Sequence, residues 1–142
     1  MEFSVRIPFV EHLGFKLHKF EGGEAELSFD PGPDHLNSFD VVHGGASMTL
    51  LDVVMAHAAR SAQPELGAVT IEMKTSFMRA AKGPLRAHGR TLHRTATLVF
   101  TEGTIHDAQG RLCAQATGTF KLMPRLATSP GSAQPLNRIS TD

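Results

Sequence analysis

The segment from His43 to Ala59 constrains this chain most, because its apolar residues repeat at helical spacing on nearly every side. A helix with no continuous polar face must be covered on more than one side. Either a sheet curls around this helix, or a second copy of the chain adds to its cover. The two apolar stripes are Ser47, Leu50, Leu51, Val54 and Ala58, and beside them Met48, Met55 and Ala59.

Extended segments with alternating apolar residues lie on both sides of the helix. Before it, residues 15–20 and 25–29 surround the turn Glu21-Gly22-Gly23-Glu24, which is typical of a hairpin. Pro and Gly stop regular structure over Asp30–Asp34, and His35–Val42 is predicted to be a loop. Four further strands are predicted at residues 69–77, 85–92, 96–106 and 111–122, with the first half-buried. Their short turns demand an antiparallel sheet, so the fold class is α+β.

Charge and composition exclude several classes of partner. The 142 residues carry 14 Lys and Arg against 14 Asp and Glu, so no net charge favours nucleic acid or an anionic membrane. Nine Phe with no Trp or Tyr offer little surface for base stacking. One domain is expected over residues 1–123, and residues 124–142, rich in Pro, Ser and Gly, are expected to form a flexible tail.

The compartment is predicted to be the reducing cytoplasm. Cys113 is the single cysteine and cannot form an internal disulfide. Glu2 and Pro8 interrupt the first ten residues, where a signal peptide needs an apolar run. Asp52 lies in the middle of the one segment that resembles a membrane span, so no membrane association is expected.

Asp52 is the only formally charged residue between Val41 and Ala59. Its neighbours three and four positions away on a helix are uncharged: Met48, Thr49, Met55 and Ala56. A carboxylate in such surroundings costs free energy unless it faces a cleft or meets polar groups from elsewhere. Structural pairing and a catalytic role both remain open from this pattern alone.

The start of the helix is a second candidate site. His43-Gly44-Gly45 precedes the apolar run, and the first N–H groups of a helix have no acceptor within the helix. An anion or an oxyanion could bind there, although a tight turn without a ligand also explains the two glycines. Gly44 and Asp52 are separated by about 12 Å along the helix axis. If both serve one carbonyl group, the acid must come from a neighbouring chain.

These residues together resemble a known family signature. His35-Leu36-Asn37, His43-Gly44-Gly45 and Leu50 with Asp52 resemble the motifs of hotdog-fold acyl-CoA thioesterases of the phenylacetate-pathway (PaaI-like) type. Asn37 lies six residues before His43 and Asp52 nine after it, as in that family. Residues 70–77 and 111–120 are similar to two of its strands, so the resemblance covers roughly residues 14–122.

The resemblance implies a hotdog fold, which is a curved antiparallel sheet wrapped around one long central helix. It also implies homodimers joined edge to edge, often paired into homotetramers, with active sites at the dimer interface. Asp52 would be the catalytic carboxylate, as general base or nucleophile, and the Gly44 N–H would stabilise the oxyanion. Asn37 would place the thioester or the water, and Thr70 would hydrogen-bond the carboxylate or the water.

Other residues receive roles at the same site. His43 is expected to hold the loop through hydrogen bonds, although its ring could polarise a carbonyl. Gly45, Arg79 and Lys82 are the candidates for substrate binding, the two cations toward the phosphates of coenzyme A. A solvated sheet edge is the alternative explanation for these cations. No cofactor is expected, since coenzyme A enters as part of the substrate.

Three further possibilities are disfavoured. No two histidines with an acid have the helical spacing of a metal site, so none is predicted. Ser47 lacks the second glycine of a nucleophile elbow, so it is not expected to be a nucleophile. Cys113 is expected to be structural, because nothing near it in sequence would lower its pKa.

The sequence therefore predicts an acyl-CoA thioesterase that acts on an aryl or medium-chain acyl group. The alternative is a hotdog protein that binds acyl-CoA or a small ligand without hydrolysis. Its one indication is Asp40, which stands where the family usually has Gly three residues after the Asn. A hydratase ranks lower, because His57 is five residues from Asp52 and cannot pair with it on the helix.

Overall fold

The computed structural model of the protein describes residues 1–124. It contains helices α1 (Pro8–Leu13) and α2 (Gly44–Arg60), with a short 3-10 helix at Pro33–His35. The strands are β1 (Lys16–Glu21), β2 (Glu24–Phe29), β3 (Leu66–Phe77), β4 (Leu85–Arg94), β5 (Leu98–Asp107) and β6 (Leu112–Pro124). They form one antiparallel sheet in the order β1-β2-β4-β5-β6-β3. Among these residues, no helix is long and apolar enough to cross a membrane.

The first hairpin follows from its two glycines. Gly22 and Gly23 have φ angles of 60° and 83°. Positive φ at both central residues is the conformation of the tight turn that matches the twist of paired strands, and glycine adopts it without steric cost. The turn between β1 and β2 is therefore confirmed.

Helix α2 lies against the concave side of the sheet, where three glycines remove side chains from its path. A Cβ added at Gly89 of β4 would lie 2.6 Å from the carbonyl oxygen of Val54. Cβ atoms at Gly103 and Gly118 would each lie 3.0 Å from the side chain of Met55. The helix thus makes backbone contact with the sheet. The fully buried core around it includes Leu27, Phe29, Leu50, Leu51, Val54, Met55, Ile105 and Phe120.

Several boundaries differ from the sequence prediction. Helix α1 was not predicted, although Pro8 begins it and Gly14, with φ of 77°, ends it. The 3-10 turn at Pro33–His35 lies in a segment expected to be irregular, and Pro33 supplies the φ angle that its first position needs. Pro124 closes β6, and the rest of the predicted tail lies outside the described residues.

Strand β3 forms a free edge of the sheet and carries exposed apolar side chains. Its register with β6 shifts between Thr70 and Glu72, so the alternation of the two faces is interrupted at Ile71. Ile71 is 55% exposed and Phe77 is 54% exposed, and Val69 is also exposed. The prediction of a half-buried strand is therefore wrong for a single chain. The reason is the edge position, which leaves one side of β3 without a neighbouring strand.

A buried histidine lies at the other end of α2. His57 is 3% exposed, and its Nδ1 donates a hydrogen bond to the carbonyl of Val53 at 2.8 Å. The rings of Phe3 and Phe20 pack edge-on against the imidazole. Its Nε2 has no hydrogen-bond partner within residues 1–124. Burial is the main cause that lowers the pKa of His57 to about 4, and Arg60 lowers it further.

This burial makes stability depend on pH. In the unfolded chain His57 has its ordinary pKa of 6.5, so its protonation below that pH favours unfolding. We expect the free energy of unfolding to fall by about 2 kcal/mol as the pH drops from 7 to 5. Urea unfolding at the two pH values measures this. A His57→Leu variant should lose most of that pH dependence, and an unchanged dependence would contradict the assignment.

Candidate active site

Helix α2 and strand β3 bring Asp52 and Thr70 together. The Thr70 hydroxyl donates a hydrogen bond to Oδ1 of Asp52 at 2.7 Å. The Asp52 side chain is partly buried, and this burial raises the pKa of its carboxyl group, while the bond from Thr70 acts in the opposite direction. A raised pKa makes a carboxylate a better proton acceptor near neutral pH.

Asp52 has no structural ion pair. Within residues 1–124, Thr70 is its hydrogen-bond partner, and no Lys, Arg or His lies within salt-bridge distance. No described cation therefore neutralises Asp52, and the hydrogen bond from Thr70 is its structural contact in this chain. A half-buried acid held by one hydroxyl is typical of a group that acts on a ligand.

The start of α2 leaves one amide group available. Nδ1 of His43 accepts a hydrogen bond from the N–H of Gly45 at 2.8 Å, so this ring caps the helix. The N–H of Gly44 donates to no described residue. Gly44 therefore presents the free donor, whereas the N–H of Gly45, a residue predicted to bind substrate, is already engaged by His43. The loop-holding contact expected of His43 is present.

The loop before the helix is organised by Asn37. Its Oδ1 accepts hydrogen bonds from the N–H groups of Phe39 and Val41, at 2.9 and 3.3 Å. These two donors fix the orientation of the amide, so Nδ2 points away from them. Asp40 closes the same turn, donating its N–H to the Asn37 carbonyl at 3.0 Å with φ of 59°. Asp tolerates this left-handed conformation better than most residues other than Gly and Asn.

Asn37 and Gly44 line one cavity of about 350 Å³. Apolar side chains supply most of its wall, and Arg79 contributes a cation. Lys82 is exposed and does not line it. The remaining lining residues are Val41, Val42, Ser47, Phe77, Met78, Ala80, Ala81, Cys113 and Ala114.

The sequence prediction missed Ser47, Phe77 and Cys113 as parts of this wall. Ser47 had a usable signal, since it lies three residues after Gly44 and so on nearly the same face of the helix. Phe77 and Cys113 come together only through the pairing of β3 with β6, which local patterns do not reveal. Within residues 1–124, no three His, Cys, Asp or Glu side chains cluster closely enough to hold a metal ion.

The two parts of the predicted site are separate within one chain. Asp52 and Thr70 do not line the cavity that contains Asn37 and Gly44. The rise of about 12 Å from Gly44 to Asp52 accounts for this separation. One chain therefore offers an acid with its hydroxyl partner at one place, and an amide donor beside a cavity at another.

Removal of the Thr70 hydroxyl should affect the ionisation of Asp52. The hydrogen bond lowers the pKa of Asp52, so Thr70→Val should raise that pKa further. If hydrolysis requires the carboxylate, its rate falls as the pH drops through this pKa, and the acidic limb of the pH–rate profile should move to higher pH. We also expect kcat/KM to fall by roughly ten-fold. Thr70→Ser is the matched control, and an unmoved limb in Thr70→Val would contradict the coupling.

Comparison with known proteins identifies the family. Residues 39–114 match the model of the thioesterase superfamily, which is more than half of the chain. A Saccharolobus solfataricus protein named "Putative esterase" is 29% identical over 112 residues, covering 78% of this chain and 80% of the relative.

Solved structures show the same fold. The Escherichia coli PaaI protein, from the phenylacetic acid degradation operon, matches with a TM-score of 0.75 at 23% identity, covering 80% of this chain and 82% of that chain. The smu.793 protein of Streptococcus mutans, bound to acetyl CoA, matches with a TM-score of 0.75 at 23% identity, covering 86% and 95%. The α+β hotdog fold implied by the sequence resemblance is thus confirmed. The family match over Asp40, Gly44, Asp52 and Thr70 shows that this chain belongs to the thioesterase superfamily.

Proposed function

We propose that this protein hydrolyses acyl-CoA thioesters to a free carboxylic acid and coenzyme A. The observation that carries the proposal is Asp52, a half-buried carboxylate with a raised pKa, held by Thr70 and unpaired with any described cation. The family match supports hydrolysis, and the acetyl CoA in the Streptococcus mutans relative supports this class of ester.

The chemistry follows from the groups in place. The thioester carbonyl oxygen accepts a hydrogen bond from the Gly44 N–H, where the helix dipole favours developing negative charge. In this proposal, Nδ2 of Asn37 donates to the thioester or to water. Asp52 removes a proton from water as its oxygen attacks the carbonyl carbon, the C–S bond breaks, and the proton passes to the thiolate. This route asks for no cofactor.

Asp52 could instead attack the carbonyl itself and form an anhydride that water then opens. In single-turnover hydrolysis in ¹⁸O-labelled water, label in the carboxylate of Asp52 identifies the anhydride route, whereas label in the released acid alone fits the general-base route and also water attack on the substrate side of an anhydride. If Asp52 is the base, the label enters the released acid in the first turnover. If Asp52 is the nucleophile, water attack on the enzyme side of the anhydride leaves the label in the carboxylate of Asp52.

A complete site would need two chains. Asp52 and Gly44 are too far apart on one helix to act on one carbonyl, and β3 offers an unpaired edge with exposed Ile71 and Phe77. Exposed apolar side chains on an unpaired strand favour association with a second copy. We therefore propose a homodimer, which could pair further into a homotetramer, with Asp52 of each chain facing Gly44 of its partner.

The cations near the cavity would bind the other end of the substrate. Arg79 lines the cavity and forms no ion pair with any described residue. Lys82 lies three residues further along the same exposed turn. Coenzyme A carries phosphate groups that Arg and Lys bind well. Both therefore remain candidates for the coenzyme A phosphates, and the cytoplasmic location expected from the sequence suits such a substrate.

A panel of aryl- and alkyl-CoA esters, assayed with a thiol reagent, tests the proposal. Release of free thiol with at least one of these esters is the expected result. Tight binding of acyl-CoA without thiol release would instead favour the non-hydrolytic alternative. The one indication for that alternative is Asp40, which stands where the family usually has Gly.

A further inference from the structure

Ser47 is a buried residue that lines the cavity, and its hydroxyl has no hydrogen-bond partner among residues 1–124. Ser47 is 3% exposed and lines the cavity beside Gly44. Its hydroxyl makes no hydrogen bond with any described residue. Thr49, two positions later on the same helix, donates its hydroxyl to the Gly45 carbonyl at 2.8 Å. A hydroxyl in a helix usually donates to the backbone carbonyl four residues earlier. Thr49 makes this bond and Ser47 does not.

A hydroxyl that lines a cavity and has no protein partner is available to a bound group. The wall around Ser47 is otherwise mainly apolar, formed by residues such as Val42, Ala81 and Ala114. A few placed polar groups in an apolar cavity are what fixes the identity of a ligand. Among the described residues that line this cavity, Ser47 has the one hydroxyl side chain.

The position of Ser47 relative to Gly44 defines which part of a substrate it can reach. The two residues are three positions apart and so neighbours on the helix surface, at roughly 5 Å. If the thioester carbonyl lies at the Gly44 N–H and the acyl group enters the cavity, the acyl atoms a few bonds from the carbonyl carbon lie beside Ser47. A substituent at or near the β carbon would then lie within hydrogen-bond reach of the Ser47 hydroxyl.

We propose that Ser47 is a specificity-determining residue that selects acyl groups bearing a hydroxyl or oxo group near the β carbon over plain hydrocarbon chains. This rests on the proposed thioesterase activity and names the substrate class of that same site. Ser47 takes no part in bond cleavage. It donates to or accepts from the substituent, so it contributes only when the substituent is present. The alternative occupants, unsubstituted alkyl and aryl groups, fill the same cavity without that bond.

The test compares matched esters that differ by one hydroxyl. The probes are hexanoyl-CoA with β-hydroxyhexanoyl-CoA, and benzoyl-CoA with meta-hydroxybenzoyl-CoA. The wild-type protein should prefer the hydroxylated member of at least one pair in kcat/KM. Ser47→Ala should lower that preference by roughly three- to ten-fold, by slowing only the hydroxylated ester. Ser47→Thr keeps a hydroxyl and should keep the preference.

Thr49→Ala is the control, since it removes a hydroxyl from the same helix outside the cavity. It should leave the ratio of kcat/KM values unchanged. An equal loss on both esters in Ser47→Ala would indicate a structural role and overturn the inference, while the thioesterase proposal would stand. Unchanged kcat/KM values for both esters in Ser47→Ala would also overturn the inference and leave the thioesterase proposal standing. A wild-type protein that hydrolyses other esters of the panel but shows no preference within either pair would overturn the inference and leave the thioesterase proposal standing, whereas no thiol release from any ester of the panel would overturn the proposed function.

Discussion

Replacement of Asp52 by Asn should lower kcat for acyl-CoA hydrolysis by about 100- to 10,000-fold. The amide has the size and shape of the carboxylate and can still accept the hydrogen bond from Thr70. It cannot take a proton from water or attack a carbonyl. Because the structure around it is preserved, we expect the oligomer and KM to change little. Stopped-time assays with a thiol reagent measure kcat, and gel filtration with light scattering reports the oligomer. Asp52→Ala should give a similar loss.

Asp30→Asn is the matched control, since it makes the same chemical change at an exposed position outside the helices and strands. It should retain full activity. A well-folded Asp52→Asn protein with wild-type turnover would show that another group activates the water, and the catalytic role of Asp52 would be rejected. A loss of oligomer in Asp52→Asn would instead assign the residue to assembly.

Mixing two inactive variants should restore hydrolysis if each site draws on two chains. Asp52→Asn removes the acid, and Asn37→Ala removes a polar group from the cavity that contains Gly44. In a mixed dimer both defects fall in one site, and the other site is intact. We therefore expect activity to reappear after the two proteins are unfolded together and refolded, at far more than the sum of the two alone. The same thiol assay measures it.

Refolding each variant alone is the control for this experiment, and both should stay inactive. If Asp52 and Asn37 of one chain served the same site, every site in a mixed dimer would carry one defect. The mixture would then be no more active than its components. That outcome would exclude the shared site while leaving the role of Asp52 untouched, because the single variants report on it separately.

Local patterns were sufficient to predict the helix and most strands. The apolar repeat placed α2 almost to the residue, and the glycines of the first hairpin located β1 and β2. Asp52 was conspicuous in sequence because a charge stood alone in an apolar helix. Its partner Thr70 came from the family resemblance, and the hydrogen bond between them is present in the structure.

Long-range pairing was not predictable in the same way. The order of the strands puts β3 at an edge, although β3 comes third in sequence. A bulge near Ile71 then exposes residues whose alternation predicted burial. The place of Ser47 in a cavity wall was not predictable from local patterns, because Cys113 and Phe77 complete that wall from distant strands. Arg79 and Lys82 were treated alike, and only the structure separates them.

The close contact between Gly89 of β4 and helix α2 links the geometry of the site to a residue outside it. A methyl group at position 89 would come within 2.6 Å of the Val54 carbonyl oxygen, and the helix would have to move away from β4. Val54 is two residues from Asp52, so the carboxylate would travel with it, relative to a hydroxyl fixed on β3. A substitution at Gly89 would thus change the distance between Asp52 and Thr70 without touching substrate.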